Sequence, residues 1–132
     1  TMGVMMFKLT EIDDVLNNLG DHADFATIAK KEADLGVQHF QYDVATGATT
    51  YFGENGYLVE RRTNGLAVRV AREEDAAAVE QIAKQYIAGQ LALTDAVKQF
   101  AKAGCQAWTA NLKRHIVDFS GDEGKIMAAV TF

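Results

Sequence analysis

The first part of the chain carries apolar residues at the spacing of two short helices. Apolar side chains recur every three or four residues, the period of an amphipathic helix, at Leu9, Ile12, Val15, Leu16 and Leu19. We expect this helix over residues 10–19, with the Thr10 hydroxyl capping its first turn. After Gly20 the same period returns at Phe25, Ile28, Ala29 and Leu35. We expect this second helix to end at Gly36, because glycine suits the left-handed conformation of helix C-termini.

The period then changes to two, which predicts strands. Between residues 37 and 44, Phe40, Tyr42 and Val44 alternate with polar side chains, as on a half-buried strand. Turn-forming residues follow at Thr46-Gly47, Glu54-Asn55-Gly56 and Thr63-Asn64-Gly65. These turns bound three further predicted strands, at residues 48–52, 57–61 and 66–70.

The second half of the chain repeats this order of patterns. Acidic residues at 73–75 precede a third helix with apolar positions at Val79, Ile82, Ala83, Tyr86 and Ile87. Thr94 is the expected N-cap of a fourth helix, which presents Val97, Phe100 and Ala101 and ends at Gly104. Residues 106–112, 114–119 and 125–132 then predict three strands.

The two halves also align with each other residue by residue, at an offset of 68 residues. The aligned pairs are Gly36 with Gly104, Gln38 with Gln106, Phe40 with Trp108, Val44 with Leu112, Tyr51 with Phe119 and Gly53 with Gly121. One interpretation is a repeat of two α-α-β-β-β half-units, residues 9–70 and 73–132, that share one sheet. The alternative is coincidence, because glycine ends many helices and aromatic residues favour strands.

These patterns together predict an α+β fold. We expect two layers, with helix pairs packed on a mostly antiparallel sheet, in a single domain over residues 1–132. A chain of this length can bury a substantial core without disulfides or metals.

The charge of the chain argues against a nucleic-acid partner. It has 13 basic and 18 acidic residues, a formal net charge of -5, whereas phosphate binding needs clustered Lys and Arg. Arg61, Arg62, Arg69 and Arg72 form a local exception and a candidate anion patch. The alternative is that these four arginines are separate, solvated side chains.

Cysteine and histidine are too sparse to indicate a metal or a cofactor. Cys105 is the single cysteine, which fits a reducing compartment and a cytoplasmic location, and we expect its thiol to be buried and inert. His22, His39 and His115 show no metal-ligand spacing, and no phosphate loop or dinucleotide fingerprint occurs. No apolar run approaches the ~20 residues that span a membrane.

Aromatic residues with polar tips are the candidate pocket residues. Tyr42, Tyr51 and Trp108 lie on predicted strands and can either fill the core or line a small-molecule pocket. His39 lies on the polar face of its strand, whereas His115 shares its parity with Val117 and Phe119, which allows an inward, hydrogen-bonded position. The candidate pocket therefore consists of these three aromatic residues and two histidines.

Short segments along most of the chain resemble one known family. They are Ala23-Asp24-Phe25, Leu35-Gly36-Val37, Phe40-Gln41-Tyr42, Gly47, Tyr51-Phe52-Gly53, Phe100, Ala103-Gly104 and Trp108. In these the chain resembles the YdfO-like proteins, an uncharacterised bacterial and prophage-associated group sometimes labelled "phage envelope protein". The resemblance implies a compact α+β fold and no known activity. Tyr86 stands where that family commonly has a histidine, and Cys105 where it usually has Val or Ile.

Function therefore rests on two main hypotheses. The first is a non-enzymatic binding or regulatory module that acts on a protein or a small molecule, with homodimer formation as an expected property. The second is a small enzyme or small-molecule-binding protein that uses an aromatic and histidine pocket between the two halves. Nucleic-acid binding through the four arginines is a third, less favoured hypothesis.

Overall fold

The computed structural model of the protein describes residues 6–20, 24–62 and 66–132. Four helices are present in these ranges, namely α1 (Leu9–Leu19), α2 (Phe25–Leu35), α3 (Ala76–Ile87) and α4 (Leu93–Lys102). The six strands are β1 (His39–Asp43), β2 (Ala48–Phe52), β3 (Leu58–Arg62), β4 (Ala107–Asn111), β5 (Ile116–Ser120) and β6 (Ile126–Thr131). The predicted α+β class is confirmed.

The six strands form one antiparallel sheet in the order β3-β2-β1-β4-β5-β6. The central pair is β1 with β4, in a register that places Gln41 opposite Thr109. Alternate strand residues are buried, including Phe40, Tyr51 and Phe119, because the helices pack on one face of the sheet. The opposite face of the sheet carries the exposed and half-buried side chains.

Each half of the chain contributes the same order of elements to this sheet, two helices followed by three strands. Two local conformations also recur at the 68-residue offset. Gly36 and Gly104 have positive φ angles of 109° and 83°, and Asn55 and Glu123 have φ angles of 55° and 57° in short 3-10 turns. Both halves therefore use the same turns to build their sheet, while a duplication of an ancestral half stays a prediction.

The segment between β3 and α3 differs from the prediction. Residues 66–70 were expected to form a strand, but they pair with no other strand. The Val68 amide donates a hydrogen bond to the Ala45 carbonyl at 3.1 Å. Val68 and Val70 are half-buried against the core as parts of an irregular segment, and this packing accounts for the alternation without a strand. The predicted turn at residues 63–65 lies outside the described residues.

Two predicted helix caps are also wrong. Helix α1 begins at Leu9, and its first turn is closed by the Lys8 amide, which donates to the Glu11 carboxylate at 2.8 Å. Helix α4 begins at Leu93, one residue before the predicted cap Thr94. None of the helices in the described ranges is long and apolar enough to cross a membrane.

Candidate functional site

A cavity of about 290 Å³ lies between α1, α2 and the segment that joins α3 to α4. Its wall consists of Leu16, Asn17, Gly20, Phe25, Ile28, Arg61, Leu66, Tyr86, Leu91, Ala92, Leu93 and Thr94. Most of these side chains are apolar, and they come from both halves of the chain. Within the described part of the wall, Arg61 is the only charged residue.

The position of Arg61 follows from the alternation of β3. Val59 and Arg61 turn toward the helices and are half-buried, whereas Glu60 and Arg62 are exposed on the other face. The Arg61 Nε donates to Asp13 Oδ1 on α1 at 2.5 Å, with the Arg61 side chain 24% and the Asp13 side chain 40% exposed. This ion pair joins an edge strand to a helix and leaves the guanidinium at the cavity wall.

Glu32 is a carboxylate buried in the core beside this arginine. It lies on the same face of α2 as Phe25 and Ile28 and is only 1% exposed. Its Oε1 has no hydrogen-bond partner among the described residues. Burial raises the pKa of Glu32 from 4.5 to about 8, although the positive charge of Arg61 acts in the opposite direction. Glu32 is therefore mostly protonated at neutral pH.

Three tyrosines complete a set that we call the core polar cluster, which consists of Glu32, Tyr42, Tyr51, Tyr86 and Arg61. Burial raises the pKa of Tyr51, which also interacts electrostatically with Glu32, Arg61 and Tyr86. Burial likewise raises the pKa of Tyr86, next to Tyr42 and Glu32, and it raises the pKa of Tyr42 to about 12. All three tyrosines are therefore neutral near pH 7. Arg61 and Tyr86 also lie in the cavity wall, so they connect the core polar cluster to the cavity.

The structure separates the two histidines of the predicted pocket from its aromatic residues. Tyr42, Tyr51 and Trp108 lie together on the helix side of the sheet. His39 lies on the other face and stacks on the Phe52 ring with centroids 4.4 Å apart. The predicted inward position of His115 is wrong, because this residue lies exposed in the β4–β5 turn with a φ angle of 57°, where strand parity does not apply.

The predicted arginine patch is also divided. Arg61 and Arg62 are adjacent in β3 and therefore point to opposite faces, with Arg62 paired to Glu60 at 2.8 Å. Arg69 and Arg72 are exposed in the segment between β3 and α3. The four arginines therefore do not form one surface.

Cys105 is fully buried, and burial raises the pKa of its thiol to about 12. It lies just before β4, whereas His115 lies at the opposite end of the β4–β5 hairpin. Cys105 and His115 therefore do not form a Cys-His pair. The residues that the structure describes also contain no group of three metal-binding side chains.

Sequence reasoning missed Glu32, although the sequence contains a signal for it. The residue follows Phe25 by seven positions and Ile28 by four, which places a carboxylate on the predicted apolar stripe of the second helix. Such a position requires either a partner or a shifted pKa. Asp13 carries no comparable signal in the sequence, because its partner Arg61 is 48 residues away.

Comparison with known proteins gives one family. The family described as "Protein of unknown function (DUF1398)" matches residues 13–129, which is most of the chain and includes the whole core polar cluster. No curated protein matches the chain. The chain therefore belongs to the DUF1398 family of proteins of unknown function.

Proposed function

We propose that this protein binds a small organic molecule in the cavity beside Arg61. The observation that carries this proposal is a guanidinium placed in an otherwise mainly apolar, concave wall. Ligand sites commonly combine apolar walls with a few polar groups that orient the ligand, in volumes of roughly 300–1,000 Å³. A volume of about 290 Å³ suits a small ligand.

Binding is favoured over catalysis by the position of Glu32. Its raised pKa would suit a general acid or base, but its side chain is not part of the cavity wall. A catalytic acid or base must come within hydrogen-bond distance of the reacting group. The proposal thus keeps the binding module expected from the sequence and assigns it a small-molecule ligand.

The remaining expectations from the sequence concern context. A bacterial, prophage-associated origin, a cytoplasmic location and homodimer formation stay predictions, as does the division into residues 9–70 and 73–132. Size-exclusion chromatography with light scattering would test the dimer directly.

The proposal can be tested by filling the cavity. Ala92 lies in its wall, so Ala92→Phe should occupy the ligand volume without removing Arg61. Ala33 is exposed on α2, and Ala33→Phe is the matched control for the added ring. Two-dimensional NMR would follow titrations with a panel of small aromatic and aliphatic alcohols, amides, amines and carboxylates.

We expect at least one compound to shift the resonances of cavity residues saturably in the parent protein and in Ala33→Phe. Ala92→Phe should abolish these shifts. If no compound of the panel shifts cavity resonances, or if Ala92→Phe binds as well as Ala33→Phe, the proposed site is wrong.

A further inference from the structure

We infer that the ligand is an organic anion with an apolar body, that its charge pairs with Arg61, and that Glu32 takes up a proton when it binds. This inference rests on the proposed function and specifies the ligand class of the same cavity. It also assigns a role to Glu32, which does not itself line the cavity.

The charge of the ligand follows from the cavity wall. Arg61 is the one charged side chain in the part of the wall that the structure describes, and its neighbours there include Leu16, Ile28 and Leu66. An anion that reaches a guanidinium in apolar surroundings interacts with it more strongly than in water. The planar fork of arginine also matches a carboxylate in geometry.

The ligand anion can pair with Arg61 by replacing part of its interaction with Asp13. Arg61 already donates to Asp13, whose side chain is 40% exposed and can therefore regain water when a ligand takes over part of the guanidinium. Glu32 is 1% exposed, so water cannot replace Arg61 as its stabilising partner. A ligand anion near Arg61 therefore disfavours an ionised Glu32.

The groups that face Glu32 limit which proton can move. Arg61 approaches from β3, Tyr51 from β2 and Tyr86 from α3, while Tyr42 on β1 is coupled to Tyr86 and Asp13 on α1 to Arg61. Burial raises the pKa values of all three tyrosines, that of Tyr42 to about 12, so these hydroxyls stay neutral between pH 7 and pH 9. Glu32, with a pKa of about 8, titrates in that interval, whereas the three tyrosines do not.

The direction of the pH dependence follows from this assignment. Below about pH 7 Glu32 is already protonated, so the affinity for an anion should not depend on its ionisation. Above about pH 8 Glu32 must take up a proton for the anion to bind. The affinity for the anion should therefore fall with rising pH, by up to about tenfold per pH unit. Near pH 8 about half a proton should be taken up per ligand bound.

The test uses one pair of probes that differ in charge, 4-phenylbutyrate and 4-phenylbutan-1-ol. Isothermal titration calorimetry at pH 7 and pH 9, in buffers of different ionisation enthalpy, measures affinity and proton uptake together. In the parent protein the carboxylate should bind about tenfold or more tightly than the alcohol at pH 7, and should lose about tenfold in affinity at pH 9. The affinity for the alcohol should not change.

Variants separate the two roles. Arg61→Met should remove the preference for the carboxylate, whereas Arg62→Met, on the other face of β3, should keep it. Glu32→Gln should make carboxylate binding independent of pH and abolish proton uptake.

Since Arg61→Met can lower stability, Asp13→Asn provides a second test. It removes a competing carboxylate, so it should strengthen carboxylate binding several-fold, and the exposed neighbour Asp14→Asn should leave it unchanged.

Equal binding of the carboxylate and the alcohol would overturn the inference and leave the proposed cavity intact. A carboxylate preference with no proton uptake in the parent protein would overturn the role of Glu32. Binding of neither probe would overturn the inference, and, together with no response in the NMR panel, it would overturn the proposed function as well.

Discussion

Tyr42 and Trp108 face each other across the two central strands, and their rings stack with centroids 4.3 Å apart and planes 12° apart. The pair lies where the two halves of the chain join, because β1 belongs to the first half and β4 to the second. Trp108 also contacts the rings of Tyr86, Phe100 and Phe119 at centroid distances of 5.4, 5.2 and 5.8 Å. One indole thus joins the sheet seam to α3, α4 and β5.

Trp108→Ala should lower the free energy of unfolding by about 3–5 kcal/mol, because it removes a ring that is 1% exposed and leaves a cavity. Trp108→Phe keeps an aromatic ring and should cost less. Urea unfolding followed by far-ultraviolet circular dichroism measures both, since Trp108 is the single tryptophan and its fluorescence is lost. A loss under about 1 kcal/mol in Trp108→Ala would contradict its central position.

Tyr42→Phe should leave stability unchanged or raise it by up to about 1 kcal/mol, because the Tyr42 hydroxyl is buried without a partner in the described structure. Tyr57→Phe is the matched comparison, since the Tyr57 hydroxyl donates to the Phe7 carbonyl. That variant should lose about 1 kcal/mol. Chemical denaturation measures the unfolding free energies of both variants. A larger loss of stability in Tyr42→Phe than in Tyr57→Phe would show that the Tyr42 hydroxyl has a hydrogen-bond partner.

Glu32→Gln should become progressively more stable than the parent protein as pH rises from about 5 to 8. In the unfolded chain Glu32 loses its proton near its ordinary pKa of 4.5, but in the folded protein it keeps the proton up to about 8. The stability that the protonated carboxyl contributes is complete below pH 4.5 and is lost as pH rises to about 8. The difference between the two proteins should grow by on the order of 1 kcal/mol per pH unit.

Unfolding free energies at several pH values measure this difference. Glu54→Gln, at an exposed carboxylate in the turn after β2, is the control for the same change of side chain in water. A difference between Glu32→Gln and the parent protein that stays constant from pH 5 to pH 8 would mean that Glu32 is ionised in the folded state.

Gly104→Ala should destabilise the protein more than Gly124→Ala. Both glycines have positive φ angles, 83° and 73°, so each alanine incurs about 1 kcal/mol of backbone strain. At Gly104 a Cβ atom would also collide with the Glu73 carbonyl oxygen, whereas at Gly124 it would meet open space. Thermal and urea unfolding should give an additional loss of about 2 kcal/mol or more for Gly104→Ala. Equal losses would mean that the segment before α3 moves aside easily.

Cys105 should be unreactive in the folded protein. Its thiol is fully buried and its pKa is raised to about 12, so very little of the nucleophilic thiolate is present at pH 8. A thiol reagent such as Ellman's reagent should therefore label the native protein only at the rate at which it unfolds, and should label it at once in urea. Rapid labelling without denaturant would contradict this burial.

Elements with strong local signals were predictable from sequence. The strand at Ala48–Phe52 has its predicted bounds, and the apolar stripe of α3 lies in the core at Val79, Ile82 and Ala83. Local period and glycine position decide such elements, because both depend on residues close in the chain. The strand predicted at residues 66–70 was wrong for the same reason. The residues alternate as in a strand, but no neighbouring strand pairs with them.

The site depended on contacts that the sequence order does not reveal. Asp13 and Arg61 are 48 residues apart, and the cavity wall combines Phe25 with Leu93. His115 was misplaced because parity places a residue only inside a strand, whereas His115 lies in the turn between β4 and β5.

The sequence by itself determined the α+β class and most elements, through hydrophobic period and the turn residues that end each segment. It also placed a carboxylate on the apolar face of a helix at Glu32. Only the tertiary structure decided that this carboxylate is buried near Arg61 and the core tyrosines. The physical reason is that burial and Coulomb interactions depend on distances in space, and folding brings these residues together from five separate elements.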